Sequence, residues 1–329
     1  MPTWGEILGE VTESARARGG QPDWDGIRRK YVTALHALTE RDTVLYYTDW
    51  MGSAGKANVS IVLEDMQGMM EVNKDLHGPE LDLILHSPGG SAEATASVVR
   101  YLRTKFSAIR VFVPLAAMSA ATMWALAGDE IVMGKHSQLG PIDPQMVTPQ
   151  GQYPARAILE QFDRAKKEIA ADPAVLGAWV PILQAYGPSL LQECERADLL
   201  ARGLVQQWLE SYMLRSDRRR RRKAADIAQW FAEYGANQSH ALGIGRDEAR
   251  AHGVHIVDLE ADQALQDAVL SVHHATMHTF QGAAAKIVEN HLGRAWVQLA
   301  QVIQVQVPLV RPGPGQGVGP VVPPGPIIP

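Results

Sequence analysis

Between residues 43 and 134 short apolar runs alternate with longer stretches in which apolar positions recur every three or four residues. The runs "TVLYYT" (43–48), "LDLILH" (81–86), "IRVFVP" (109–114) and "EIVMG" (130–134) are rich in β-branched and aromatic residues and predict strands. The intervening "SIVLEDMQGMMEVNKDL" (60–76), "SAEATASVVRYLRTKF" (91–106) and "SAATMWALAGD" (119–129) carry helical spacing. Strand and helix taking turns at this rhythm predict an α/β fold around a mainly parallel sheet. Upstream, "WDGIRRKYVTALHALTER" (24–41) spaces Ile27, Tyr31, Leu35 and Leu38 as an amphipathic helix, so residues 1–42 form an N-terminal helical segment.

From about 155 to 235 the pattern turns mostly helical, broken by Pro and Gly, and is expected to be a helical insertion in a core spanning 43–260. "RDEARAHGVHIVDL" (246–259) predicts a short helix, a glycine stop and a strand. Residues 261–305 are expected to be a helical C-terminal region. The Pro- and Gly-dense tail 306–329 can hold neither a helix nor a central strand, and is expected to be disordered or to dock on a partner protein. No internal repeat is found.

Composition adds limits. With 46% hydrophobic residues there is ample core material, and a net charge of −5 with 20% charged residues gives no global bias toward nucleic acid. The single Cys194 forms no internal disulfide and no zinc cluster; it suits a reducing compartment and the role of a small buried hydrophobe. The N-terminus has acidic residues where a signal peptide needs an apolar core, so a cytoplasmic location is expected. "VFVPLAAMSAATMWALAG" (111–128) is the one membrane candidate, but Pro114 and its many small residues favour a buried strand followed by a buried helix.

In open parallel sheets the working groups gather at the carboxyl ends of the strands. The first notable end is "LILHSPGG", where Gly89 and Gly90 permit positive φ and close approach of another chain. The second is "VFVPLAAMSAATM", where Ser119 stands at a helix start among alanines that leave its hydroxyl uncovered. Taken singly, these are a tight turn and a helix cap. Together they suit acyl transfer, which needs a nucleophile and two N–H donors converging on one oxygen.

Through "LDLILHSPGGSAEATASVVRYLR", "VFVPLAAMSAATMWALAGDEIVMGKHSQLGPIDPQ" and, more weakly, "QSHALGIGRDEARAHGVHIVDL", the chain resembles the serine dehydrogenase proteinase family. That family belongs to the Clp protease/crotonase superfold and is related to the Clp proteolytic subunit and signal peptide peptidase A. The resemblance covers residues 43–260 with a divergent helical stretch inside. It implies a core of repeated β-β-α units and peptide hydrolysis, with Ser119 as nucleophile and the N–H groups of Gly89, Gly90 and Ala120 as oxyanion hole. It also implies a peptide or unfolded-protein substrate, no cofactor and a homo-oligomer.

The base is less directly marked. The Clp proteolytic subunit has its histidine some two dozen residues past the serine, where this chain reads "LGPIDPQ" with no histidine. His136 in "KHSQLG" reads as a loop residue. The family order Ser, Asp, His selects His240 in "NQSHALGI" as general base and Asp143 in "GPIDPQ" as its carboxylate, with Asp129 a weaker substitute. Signal peptide peptidase A uses a Ser-Lys dyad, for which Lys166 and Lys167 lie in the right range. A crotonase-like acyl-thioester enzyme and an inactive scaffold or adaptor complete the alternatives.

Other features are set aside. The basic run 215–223 reads as a solvated helix start rather than a nucleic-acid or anionic-membrane contact. His274 and His278 lack the acidic partner of a metal motif. His86, beside the Gly-Gly motif, is given no catalytic role.

Overall fold

The computed structural model describes residues 3–52, 59–148, 151–186, 189–237 and 242–300. Seven strands form the main sheet. In chain order they are β1 (Asp42–Thr48), β2 (Glu80–His86), β3 (Ala108–Val113), β5 (Glu130–Met133), β10 (Ile256–Asp258), β11 (Ala284–Asn290) and β12 (Ala295–Leu299). Their spatial order is β10-β5-β3-β2-β1-β11-β12. From β10 to β1 every pairing is parallel; β1-β11 and β11-β12 are antiparallel. The inner strand β2 is buried along six of its seven residues, the signature of a parallel strand covered on both faces.

Two helical layers provide that cover. On one face pack α3 (Asp65–Val72), α4 (Ala92–Lys105) and α5 (Ala120–Leu126), backed by α8 (Leu190–Ser211) and α9 (Arg220–Asn237). On the other pack α1 (Trp4–Ala17), α2 (Trp24–Thr39) and α11 (Gln263–Thr279). Helix α4 begins where Ser91 Oγ accepts the Ala94 N–H and ends with Arg103 and Lys105 in its last turn, so cap and macrodipole agree. The helical insertion is α6 (Ala155–Ala171), α7 (Leu176–Gln184), α8 and α9, preceded by a hairpin of β7 (Gln145–Thr148) and β8 (Gly151–Pro154). A small sheet joins β4 (Ala116–Ala117), β6 (Gln138–Leu139) and β9 (Ile244–Gly245), the last leading into α10 (Arg246–Ala251).

Two expectations need correction. Residues 60–62 are not helical: Ile61 bridges Gly90, and α3 starts only at Asp65. The stretch 261–305 is helical only through α11; 284–299 form β11 and β12 of the main sheet. In "AAKIVEN" Lys286, Glu289 and Asn290 are all buried, so the strand shows no alternation of apolar and polar residues. Each has a partner: Lys286 pairs with Asp65, Glu289 with Arg28 and Arg29, and Asn290 donates to Val72 O at 2.6 Å.

The segment 111–128 is strand, turn and buried helix, and no described helix is long and apolar enough to cross a membrane. In the basic run, Arg215 meets Asp129 at 2.9 Å and Lys223 meets Asp217, while Arg221 and Arg222 project into solvent. Cys194 is buried, and burial pushes its thiol up from its ordinary range. The tail 306–329 lies outside the described residues.

Candidate active site

Strand β2 leaves the sheet at His86, and the next residues pair with β4. Ser87 N–H donates to Ala116 O at 3.2 Å, and Met118 N–H donates to Ser87 O at 3.0 Å. This ladder holds the loop 87–90 edge to edge with the segment that carries Ser119. There the chain turns sharply into α5: Ala121 N–H closes onto Met118 O at 2.9 Å, with Ser119 at φ 51° and ψ −121°. That is the second position of a type II′ turn, a place glycine usually takes, and a side chain there costs about 1–3 kcal/mol.

Room for it comes from two glycines. A Cβ on Gly89, at φ 97°, would lie 2.8 Å from Ser119 Cβ, and one on Gly140 would lie 3.1 Å from Ser119 N. Ser119 makes no capping bond with its side chain, is half-buried, and faces a cavity of about 440 Å³. The strained turn therefore presents the hydroxyl to the cavity instead of to its own helix, a geometry like that of the nucleophile elbow.

The amides around it are sorted by a short extended strap, Ser60–Val62. Ile61 N–H donates to Gly89 O at 2.7 Å, and Ser91 N–H donates to Ile61 O at 2.9 Å. In such a parallel bridge the N–H of Gly90, between the two bonded positions, points away from the strap. Ala120 N–H is the first amide of α5, and among the described residues neither it nor Gly90 N–H has an acceptor. Gly89 N–H, expected as a third donor, is given to Ser87 Oγ at 3.2 Å and so is already engaged.

Met123, Ile142, Met146, Leu200 and Ala201 line an apolar wall of the cavity; Gln145 and Gln152 of the hairpin and Ser91 line its polar parts. Glu93 is the one charged side chain among the described lining residues. The strap, the hairpin and the α8 wall were not foreseen. They come from three separate stretches of chain, and nothing local in each marks it as part of a site.

Residues 64–181 match the family model of ClpP-like SDH-type serine proteinases. The resemblance read from sequence is thus shown over this segment, which contains Gly89, Gly90, Ser119, Ala120 and Asp143. Two uncharacterized proteins of Methanocaldococcus jannaschii are 40% and 38% identical over 96 residues, which is 29% of this chain. The match spans 32% of the length of each, about a third of these curated relatives. Among solved structures, a serine-to-alanine variant of the 1510-N membrane-bound stomatin-specific protease aligns with a TM-score of 0.36 at 14% identity, covering 60% of this chain and 74% of that one. A lysine-to-alanine variant of the same protease with a substrate peptide gives 0.35 at 14%, covering 60% and 70%.

Within the SDH-type segment Asp143 is buried between Ile142 and Pro144, both lining the cavity, and accepts from Gln145 Nε2 at 2.8 Å. Its loop follows Gly140, which packs on the Ser119 turn and donates to Ala117 O at 3.1 Å. His240 lies outside the described residues; four positions further on, Ile244 pairs with Leu139 in the small sheet beside β4.

The lysines of the dyad alternative sit elsewhere in the segment. Lys166 and Lys167 are exposed on α6, Lys166 facing Asp163 at 3.4 Å, and neither lines the cavity. Asp129, the substitute carboxylate, binds Arg103 at 2.8 Å and Arg215 at 2.9 Å, away from the lining. His136 is exposed.

His86 points to the opposite face of the sheet. Its Nδ1 meets Ala116 O at 3.1 Å, and its ring packs among Tyr47, Trp50 and His273. Burial holds its pKa down at about 4 and that of His273 well below the ordinary value, so both rings are neutral at pH 7. His274 and His278 both pack on the Trp4 indole.

Proposed function

We propose that the chain is a serine peptidase that hydrolyses peptide bonds through an acyl-enzyme on Ser119. The observation that carries this reading is the Ser119 turn, with the amides of Gly90 and Ala120 lacking acceptors at its side. Ser119 Oγ attacks the scissile carbonyl carbon and passes its proton to a base. The carbonyl oxygen becomes an oxyanion that accepts from Gly90 and Ala120 N–H, and the amine leaves with the proton. Water then attacks the ester, releases the acid and restores Ser119.

The base in this reading is His240, oriented by Asp143. The buried position of Asp143 beside the cavity supports the carboxylate's part in it, as does β9, which carries the chain just after His240 to the small sheet next to the Ser119 turn. The free edge at Gly90 suits an extended peptide or unfolded chain, which adds main-chain hydrogen bonds along it. The apolar wall at Met123, Met146 and Leu200 favours an apolar side chain beside the scissile bond. A homo-oligomer belongs to the same reading and is measured by light scattering.

The decisive experiment treats the purified protein with a fluorophosphonate and follows peptide hydrolysis. Labelling on Ser119, with hydrolysis lost in both S119A and H240A, is the expected result. Hydrolysis that survives S119A sinks the peptidase reading, and loss in K166A or K167A with H240A active replaces the histidine by a lysine dyad. An acyl-thioester enzyme would show no label at Ser119.

A further inference from the structure

The frame of this site extends to a part of the chain far outside the SDH-type segment. Lys286, on β11, is fully buried on the helix face that holds the cavity. Its Nζ donates to Asp65 Oδ1 at 2.6 Å and to Ser60 O at 2.8 Å. Asp65, also fully buried, takes the Tyr46 hydroxyl at 2.6 Å and the Val62 N–H at 3.0 Å on its other oxygen. Both ends of the strap Ser60–Val62 are therefore tied to one buried ion pair, and the middle of the strap holds Gly89 O and Ser91 N–H on either side of Gly90. The fit is close: a Cβ on Gly90 would press on the Ile61 backbone.

Stability alone is a poor reason for such a pair. Desolvating two charges is costly, and well-packed apolar residues of the same volume are often equally stable. Burial pulls the Lys286 ammonium down from its ordinary range, and Asp65 pushes it back up. Burial first, and then Asp65, raise the Tyr46 hydroxyl well above its own. An apolar replacement could fill the volume but could neither donate to Ser60 O nor accept from Val62 N–H.

We propose that Lys286, Asp65 and Tyr46 are positioning residues that set the direction of the Gly90 N–H by fixing the strap 60–62 against the Gly89–Gly90 turn. The inference rests on the peptidase reading for its kinetic consequence, but not for its structural one. The network touches no substrate. A strap that drifts lets Gly90 rotate, weakening a donor that works only on the developing oxyanion, so the loss falls on kcat and hardly on KM.

The test compares K286M, K286R and Y46F with the parent, using a fluorogenic peptide that the parent cleaves, the fluorophosphonate probe and amide hydrogen exchange. In a K286M protein that is folded by circular dichroism, kcat is expected to fall at least tenfold with KM within threefold. Labelling slows in step, the Ile61 and Ser91 amides exchange at least tenfold faster, and K286R restores most of each. Values of kcat and exchange within twofold of the parent overturn the proposal, as does an equal loss in K286R. Should K286M fail to fold, Y46F decides: a two- to fivefold fall in kcat with faster exchange at Ile61 supports it, and no change in either overturns it. If the parent neither cleaves nor is labelled, the peptidase reading falls by itself, and exchange at Ile61 and Ser91 alone judges the strap.

Discussion

One residue separates two very different environments. His86 looks onto the α11 face of the sheet, into a closed cluster of Tyr47, Trp50 and His273, and just past the buried Ser87 the residues Pro88, Gly89 and Gly90 line the open cavity of Ser119. The closed side holds the residue types that catalytic motifs are made of, yet its histidines are buried and neutral. The open side holds mainly glycine, alanine and one serine, and it carries the positive φ angles, the amides without acceptors and the space. Residue type is a weak mark of a site; backbone direction at the end of a parallel strand is a stronger one.

The largest expected effect that tests this contrast is at Gly89. Alanine there must hold φ 97° with its Cβ against Ser119, so G89A is expected to lower kcat/KM at least a hundredfold, measured with a fluorogenic peptide. If G89A keeps activity within threefold, the close contact between the turn and Ser119 does not matter to the chemistry.

The strain at Ser119 predicts a change of the opposite sign in stability. S119G removes a side chain from a positive-φ position and is expected to raise stability by about 1 kcal/mol in denaturant unfolding, while abolishing fluorophosphonate labelling. A stability loss in S119G would mean that the turn is relaxed.

On the closed side the expected response is to pH. Unfolded histidine takes up its proton near pH 6.5, whereas folded His86 stays neutral until about pH 4. Across that window the unfolded state binds more protons, so folding stability falls as the pH falls. H86F is expected to flatten this acid loss in urea titrations between pH 7 and 4, and to leave peptide hydrolysis within threefold. A large kinetic defect in H86F that a stability control does not explain would bring His86 back into the chemistry. The smallest effects are expected at Lys166 and Lys167, whose exposed side chains on α6 predict K166A and K167A activities within twofold of the parent and stabilities within about 0.5 kcal/mol.

The reach of sequence reasoning followed the same divide. Strands β1, β2, β3 and β5 were legible because runs such as "LDLILH" are buried on both faces and bounded by turns. Ser119 and Gly89–Gly90, each alone a plain cap or turn, drew notice only as a pair of neighbouring strand ends. Strand β11 was not legible, because its buried Lys286, Glu289 and Asn290 look like surface residues until their partners are known. The strap was read as helix for a similar reason: the charge of Asp65 is spent on Val62 N–H and Lys286, which spacing cannot reveal.

Local sequence by itself determined the alternation of strand and helix, the small residues that let Ser119 occupy its turn, and the chemistry that such a turn suits. These depend on near-neighbour sterics and on the period of apolar positions, both written along the chain. Only the tertiary structure decided which amides face the cavity, that Gly89 N–H is already used, and that Lys286 from the far end of the chain holds the strap under Gly90. A hydrogen bond is fixed by direction and distance in space, and residues 65 and 286 acquire both only once the sheet has brought them together.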